Sequence, residues 1–198
     1  ADYSDGVIGG LVIDMTDPGA STGEAAGDRF NSIEQIIGTN YNDTIRADDS
    51  GMWLDGGSGA DSLTGGAGRD YAYYRDAGTG QRVDLSGATA STGTQAAGDT
   101  FSSIEGIIGS NHSDVLDGGA GSDYYIFTPG DDTNTIYGFD AADANEKFSL
   151  QGFGYGSVAA AQGFITDTGS DLVFSDQGTI VSLIGVANIA DLDDNILL

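Results

Sequence analysis

Residues 56–73 read GGSGADSLTGGAGRDYAY, two successive nonapeptides of the form G-G-x-G-x-D-x-U-x in which U is apolar. The unit returns at 118–126 as GGAGSDYYI. Each letter has a physical reason. Paired glycines permit a tight turn with positive φ and let backbone carbonyls crowd inward. The Asp at position six adds a hard anionic oxygen, the donor that Ca²⁺ gathers six to eight of. Positions seven to nine make a short strand whose middle side chain points into a core. Nonapeptides of this kind stack as a calcium-stabilised parallel solenoid.

Counting in nines outward from Gly56 gives 29–37, 38–46, 47–55, 56–64 and 65–73, with Ile36, Ile45, Leu54, Leu63 and Ala72 at position eight. A second block covers 100–108, 109–117, 118–126 and 127–135, with Ile107, Leu116 and Tyr125 in the same column. A long repeat overlies the short one: GDRFNSIEQIIG at 27–38 matches GDTFSSIEGIIG at 98–109. Upstream, Ile13-Asp14-Met15 matches Val83-Asp84-Leu85, and Ser21-Thr22-Gly23 matches Ser91-Thr92-Gly93. Each copy reads as a lead-in strand, a small-residue loop (16–28 and 86–99), an F-x-S-I-E turn and then acidic turns. After about residue 132 the nonapeptide beat stops, and strand-like runs follow at 135–139, 148–150, 164–166, 172–175 and 179–184, with a short helix near 157–161. An open solenoid end exposes core and strand edges, so 133–198 is expected to be a β-rich cap on a roll spanning 1–132.

Composition fits metal-conditional folding. The 198 residues hold 31 Asp and Glu against 6 Lys and Arg, a formal charge of −25. That balance repels phosphate, which argues against nucleic acid and anionic membrane surfaces as partners. With 39 % hydrophobic residues, nine Tyr and eight Phe, the chain is too apolar for a typical disordered one. Bound cations reconcile the two by cancelling self-repulsion on folding. There is no Cys, hence no disulfide and no thiolate metal site. No apolar stretch is long enough to cross a bilayer, so no span of a membrane is expected. The chain opens ADYSDG, without an initiator Met or an apolar leader, and is expected to be a piece of a longer polypeptide.

On these motifs the chain resembles the RTX family, the calcium-binding C-terminal regions of bacterial proteins exported by type I secretion. The tail, with Lys147-Phe148-Ser149-Leu150, Leu172-Val173-Phe174-Ser175 and the terminal Asp194-Asn195-Ile196-Leu197-Leu198, is similar to the capping domain of serralysin-type proteases and related epimerases. The resemblance implies an all-β fold, a right-handed parallel β-roll, several Ca²⁺ ions, an extracellular location and the secretion apparatus as a partner. In the family's roll one coil takes two nonapeptides, so like turns recur at every second unit and calcium sits between them. The implied ligand turns are Asn42 and Asp43; Asp48; Gly56, Gly57, Gly59 and Asp61; Gly65, Gly66, Gly68 and Asp70; Asp114; and Gly118, Gly119, Gly121 and Asp123, with Asp132 and Asp140 further along. The expected stacking is Asp43 on Asp61, Asp61 on 74–79 with Asp76 as a further donor, Asp70 on 47–52, Asp114 on Asp132 and Asp123 on Asp140. Glu34 and Glu105 stand at position six of their turns as longer-reach donors. The sequence departs from the pattern at 47–52, which has no glycine pair and carries Met52 at position six, and at Phe127-Thr128, which replace the paired glycines.

Catalysis finds little support. His112 is the one histidine, it sits in a turn, and H-E-x-x-H does not occur. One histidine without cysteine also cannot complete a zinc site. The aromatics are more informative. Trp53 and Tyr71 both hold position seven, two nonapeptides apart, and Tyr73 holds position nine, so all three point outward on one sheet. Such a cluster suits sugar stacking or a protein interface, or else lies under another part of the chain such as 1–14. The expected function is a non-catalytic calcium-folded secretion module, the alternative a polysaccharide-binding or adhesion module with calcium as scaffold.

Overall fold

The computed structural model describes residues 1–5 and 8–198. In chain order the strands are β1 (Val12–Asp14), β2 (Gln35–Thr39), β3 (Thr44–Arg46), β4 (Trp53–Gly57), β5 (Ser62–Thr64), β6 (Tyr71–Tyr73), β7 (Arg82–Asp84), β8 (Thr100–Ser102) and β9 (Gly106–Ile108). There follow β10 (Val115–Asp117), β11 (Tyr124–Phe127), β12 (Asp132–Tyr137), β13 (Lys147–Leu150), the short helix α1 (Val158–Gln162), β14 (Ile165–Asp167), β15 (Leu172–Asp176), β16 (Thr179–Leu183) and β17 (Ile196–Leu197). From β2 to β13 the chain winds between two sides. One side is a seven-stranded parallel sheet, β2-β4-β6-β9-β11-β13-β17. The other is split into a four-stranded sheet, β1-β3-β5-β8, and a six-stranded one, β7-β10-β12-β16-β15-β14. The fold is a β-roll.

Position eight closes the core as its period demands. Ile36, Ile45, Leu54, Leu63, Ala72, Ile107, Leu116 and Tyr125 are all fully buried. Register follows a pitch of two nonapeptides where these are uninterrupted: Leu54 pairs with Ile36, Ala72 with Leu54, Leu63 with Ile45. Three places break the pitch. After β6 the chain climbs to β7, which pairs with β10 (Val83 with Leu116). It then returns through the loop at 85–99, so that β8 pairs with β5 (Phe101 with Leu63). The return loop is organised by two buried polar groups. The Asp84 carboxylate accepts the N–H groups of Ser86, Gly87 and Thr89, and Gln81 Oε1 accepts those of Gln95 and Ala96. The path from β10 to β12 is longer by two than that from β3 to β5, since Leu116 pairs with Ile136. The path to β13 is longer still, Tyr125 pairing with Phe148.

The expected division at residue 132/133 falls inside β12, while β13 and β17 extend the seven-stranded sheet. Side-chain packing changes character here. The last coils are filled by rings, with Phe148 5.6 Å from Phe127 and 5.7 Å from Phe174, and Phe153 5.3 Å from Phe174. β14, β15 and β16 form an antiparallel meander on the six-stranded sheet.

Candidate metal centre

The turns joining the two sides stack into two ladders, one along each edge of the roll. In both, one side-chain oxygen of a polar residue accepts the backbone N–H at the equivalent place in the turn beneath. On the first edge Asp43 takes Leu11 N–H (2.6 Å), Asp61 takes Asp43 N–H (2.7 Å) and Asp99 takes Asp61 N–H (2.8 Å). Above the break, Asp114 takes Gln81 N–H (2.6 Å), and the Asn134 side chain takes Asp114 N–H (2.9 Å). On the second edge Asp70 takes Met52 N–H (2.7 Å), Glu105 takes Asp70 N–H (2.9 Å) and Glu146 takes Asp123 N–H (2.8 Å).

Glycine is what lets the carboxylates fold back over their own turns. A Cβ on Gly56 would lie 2.2 Å from Asp61 Oδ2, one on Gly65 2.6 Å from Asp70 Oδ2, and one on Gly118 2.4 Å from Asp123 Oδ2. At the second glycine the obstacle is the neighbouring turn's carbonyl: Thr39 O at 2.0 Å from a Cβ on Gly57, Asp48 O at 2.0 Å from one on Gly66. Carboxylates and carbonyl oxygens are thus pressed together at each level. The remaining oxygens are short of donors. Asp61 Oδ2, Asp114 Oδ2 and Glu146 Oε1 are buried and have no hydrogen-bond partner among the described residues. Burial pushes Asp61 up to about 7 against the pull of its bond from Asp43 N–H, with the Asp99 and Asp43 charges adding to the rise. Burial likewise raises Glu146 to about 7, and Asp99 and Asp123 to about 6. A stack of buried acids with unused oxygens is costly unless a cation shares it. Among the described residues no three acidic or histidine side chains gather at one point. The donor set at each level is therefore one or two carboxylates with backbone carbonyls, all hard oxygens, which fits Ca²⁺.

One family comparison agrees with that chemistry. The family described as the RTX calcium-binding nonapeptide repeat matches in four copies, over residues 30–50, 53–75 and 107–133. The chain carries RTX calcium-binding repeats. The ions these repeats bind are calcium. No curated relative matches the chain. Among solved structures it is similar to the extracellular lipase LipA from Serratia marcescens, at 17 % identity and a TM-score of 0.41, over 88 % of this chain. The chain spans 41 % of that lipase's length.

The RTX turns expected from the sequence fall into place unevenly. Asp43, Asp61, Asp70, Asp114 and Asp123 are all buried in the ladders. Asn42 braces the neighbouring turn through Ala60 N–H (3.0 Å). Asp48 is half-buried, caps its own turn at Ser50 N–H and lends its carbonyl to the contact with Gly66, while Asp49 accepts Ala67 N–H (3.0 Å). Gly59 and Gly121 adopt φ of +145° and +126°, and Gly68 lies against Gly51 N.

Three stacking expectations need correction. Asp61 stacks on Asp99 rather than on 74–79, because the excursion through β7 removes that segment from the ladder, and Asp76 is exposed. Asp114 stacks on Asn134 instead of Asp132, because the longer turn shifts register by two; Asp132 is exposed, with φ of +59°. Asp123 stacks on Glu146, and the exposed Asp140 merely caps Ala142 N–H. Asp99, Asn134 and Glu146 escape the nonapeptide pattern because no glycine pair precedes them. They do keep its second half: Asp99-Thr100-Phe101, Asn134-Thr135-Ile136 and Glu146-Lys147-Phe148 repeat the polar-x-apolar rhythm of Asp61-Ser62-Leu63.

On the outer face, Trp53 pairs in register with Tyr71 and stacks on Tyr73, with ring centroids 5.8 Å apart and planes 15° from parallel. Residues Ala1 to Tyr3 lie beside Ile37 and leave Trp53 44 % exposed. Tyr71 covers Gly106, and the Arg69 guanidinium sits 3.7 Å over the Tyr124 ring. His112 is exposed, its backbone N–H donating to Ser110 Oγ.

Proposed function

We propose that the chain is a non-catalytic, calcium-folded module at the C-terminal end of a protein that a bacterium exports by type I secretion. The observation that carries this reading is the pair of carboxylate ladders with buried, partnerless oxygens at Asp61, Asp114 and Glu146. When bound, calcium supplies the positive charge that lets these acids stay ionised in the interior. The chain does the rest. Asp43, Asp61 and Asp99 on one edge, and Asp70, Glu105 and Glu146 on the other, tie each turn to the next. Without the cation, 31 acidic residues against 6 basic ones disfavour compaction. Sites of the extracellular kind, at about 10⁻⁴–10⁻³ M, keep such a chain open inside a cell and fold it outside. Among the described residues no helix is long and apolar enough to cross a membrane. Residues 133–198 act in this reading as the closing cap and carry the export signal in Asp194–Leu198.

Far-ultraviolet circular dichroism in EDTA and in millimolar Ca²⁺ tests the proposal. The expected result is a disordered spectrum that becomes β-rich on adding calcium, with Mg²⁺ a poor substitute because it demands tight octahedral geometry. Identical spectra in EDTA and calcium would falsify it.

A second reading rests on the stacked, exposed Trp53–Tyr73 pair. Flat aromatic faces of this kind suit the apolar face of a sugar ring, which makes a polysaccharide a candidate partner. Glycan-array binding that vanishes in Trp53→Ala, with calcium-induced folding intact, would support it. An array without hits would remove it.

A further inference from the structure

We propose that the N-terminal end of the roll is a docking face for another RTX coil, supplied by a second copy of this chain's own long repeat. The duplication extends further than the F-x-S-I-E motif shows. Tyr3 O–H donates to Asp28 (2.7 Å), and Tyr74 O–H, its counterpart in the second copy, donates to Asp99 (2.7 Å). Ala1 to Tyr3 lie beside Ile37 as Ala72 and Tyr73 lie beside Ile107 and Ile108. Ser32 and Ser103 share the same left-handed backbone, φ +53° and +52°.

In the second copy, segment 98–105 has an occupant beneath it, the nonapeptide coil at 56–70. Asp99 takes Asp61 N–H, Thr100 N–H donates to Asp61 O, and Glu105 takes Asp70 N–H while its own N–H returns to Asp70 O. The strained Ser103 has a purpose there: its carbonyl is pressed against Gly65, where a Cβ would come within 1.8 Å. The first copy presents the same surface with nothing docked among the described residues. Asp28 and Glu34 are exposed, Ile33 is half-covered where Ile104 is buried, and Ser32 keeps its costly conformation. The partner this face fits is defined by chemistry. It must offer two backbone N–H groups at position six of successive turns and a glycine with no Cβ in the way. The GGSGADSLTGGAGRD coil of the same unit offers both.

The test is a chain in which residues 1–71 are repeated ahead of Ala1, so that Tyr71 runs into Ala1 as it naturally runs into Ala72. Calcium titration should give one cooperative transition, at lower calcium than for the natural chain. The amides of Arg29 and Glu34 in the inner copy should gain hydrogen-exchange protection matching Thr100 and Glu105. Asp28→Asn with Glu34→Gln in the inner copy should raise the calcium midpoint about tenfold in the extended chain and leave the natural chain nearly unchanged. Separate unfolding of the added copy, unprotected Arg29 and Glu34 amides, or an equal effect of the double substitution in both chains would each overturn the proposal. The inference builds on the calcium reading of the turns, and the exchange readout keeps the two apart: protected amides in a roll that folds without metal would uphold docking and remove the calcium reading.

Discussion

The two copies of the long repeat place the same side chains in opposite surroundings. Tyr74 and its acceptor Asp99 are buried, whereas Tyr3 is half-buried and Asp28 exposed. The hydrogen bond is the same length in both. Its energetic weight is not, because an unpaired carboxylate oxygen costs far more inside than in water. The copies also differ in how they hold their last turn. In the first copy the turn before β5 uses paired glycines and Asp61. In the second, the longer turn before β12 is held by Arg75, which pairs with buried Asp131 at 2.5 Å and also donates to Thr128. Arg75 stands where the first copy has Ser4. In the proposed reading one copy leans on an external cation at this turn, where the other has the internal Arg75–Asp131 pair.

That contrast can be broken at its largest point by truncation. A chain ending at residue 132 cuts β12 and removes β13 and β17 from the seven-stranded sheet, exposing Leu116 and Tyr125. It is expected to show no cooperative folding transition by circular dichroism at any calcium concentration. A cooperative 1–132 fragment with an unchanged midpoint would mean that the second copy needs no cap.

Next in size is Arg75→Ala. It strands the nearly buried Asp131 carboxylate, a loss of about 3–5 kcal/mol. Urea unfolding in saturating calcium should register it, while Ser4→Ala should stay within about 0.5 kcal/mol. A small effect at Arg75 would mean that this turn too relies on metal.

Asp61→Ala against Asp132→Ala sharpens the comparison of the two turns. Asp61 joins two levels of a ladder and Asp132 faces solvent. Isothermal titration should show the calcium midpoint several-fold higher for Asp61→Ala and almost unmoved for Asp132→Ala, and Asp48→Ala should fall between them. Equal midpoints at 61 and 132 would restore the uninterrupted nonapeptide frame. The smallest expected difference is between Tyr74→Phe and Tyr3→Phe. Loss of the buried bond to Asp99 should cost about 1–2 kcal/mol, against about 0.5 kcal/mol or less at the exposed pair, both measured by thermal unfolding in calcium.

Much of the candidate site was legible because its logic is local. A glycine pair, an Asp shortly after it and an apolar residue two beyond that must come in this order for one turn to close over one carboxylate. Asp61, Asp70 and Asp123 follow directly. Asp99, Asn134 and Glu146 do not, because each enters its ladder from a turn of different length that no glycine pair announces. The outward Trp53, Tyr71 and Tyr73 followed from strand alternation alone. That Trp53 stacks on Tyr73 while pairing in register with Tyr71 required the side chains themselves.

By itself, the sequence determined the nonapeptide pitch, the inward column from Ile36 to Tyr125, the parallel coil and the oxygen chemistry of the turns. Each of these is set within one or two turns of chain, where spacing and side-chain type leave little choice. Only the tertiary structure decided which turn rests on which where the nonapeptide beat is interrupted. The link from Asp61 to Asp99 spans 38 residues and that from Asp123 to Glu146 spans 23. Those separations depend on where the 85–99 loop returns and how far the later turns bulge, and both are fixed by packing against the rest of the roll rather than by any local repeat.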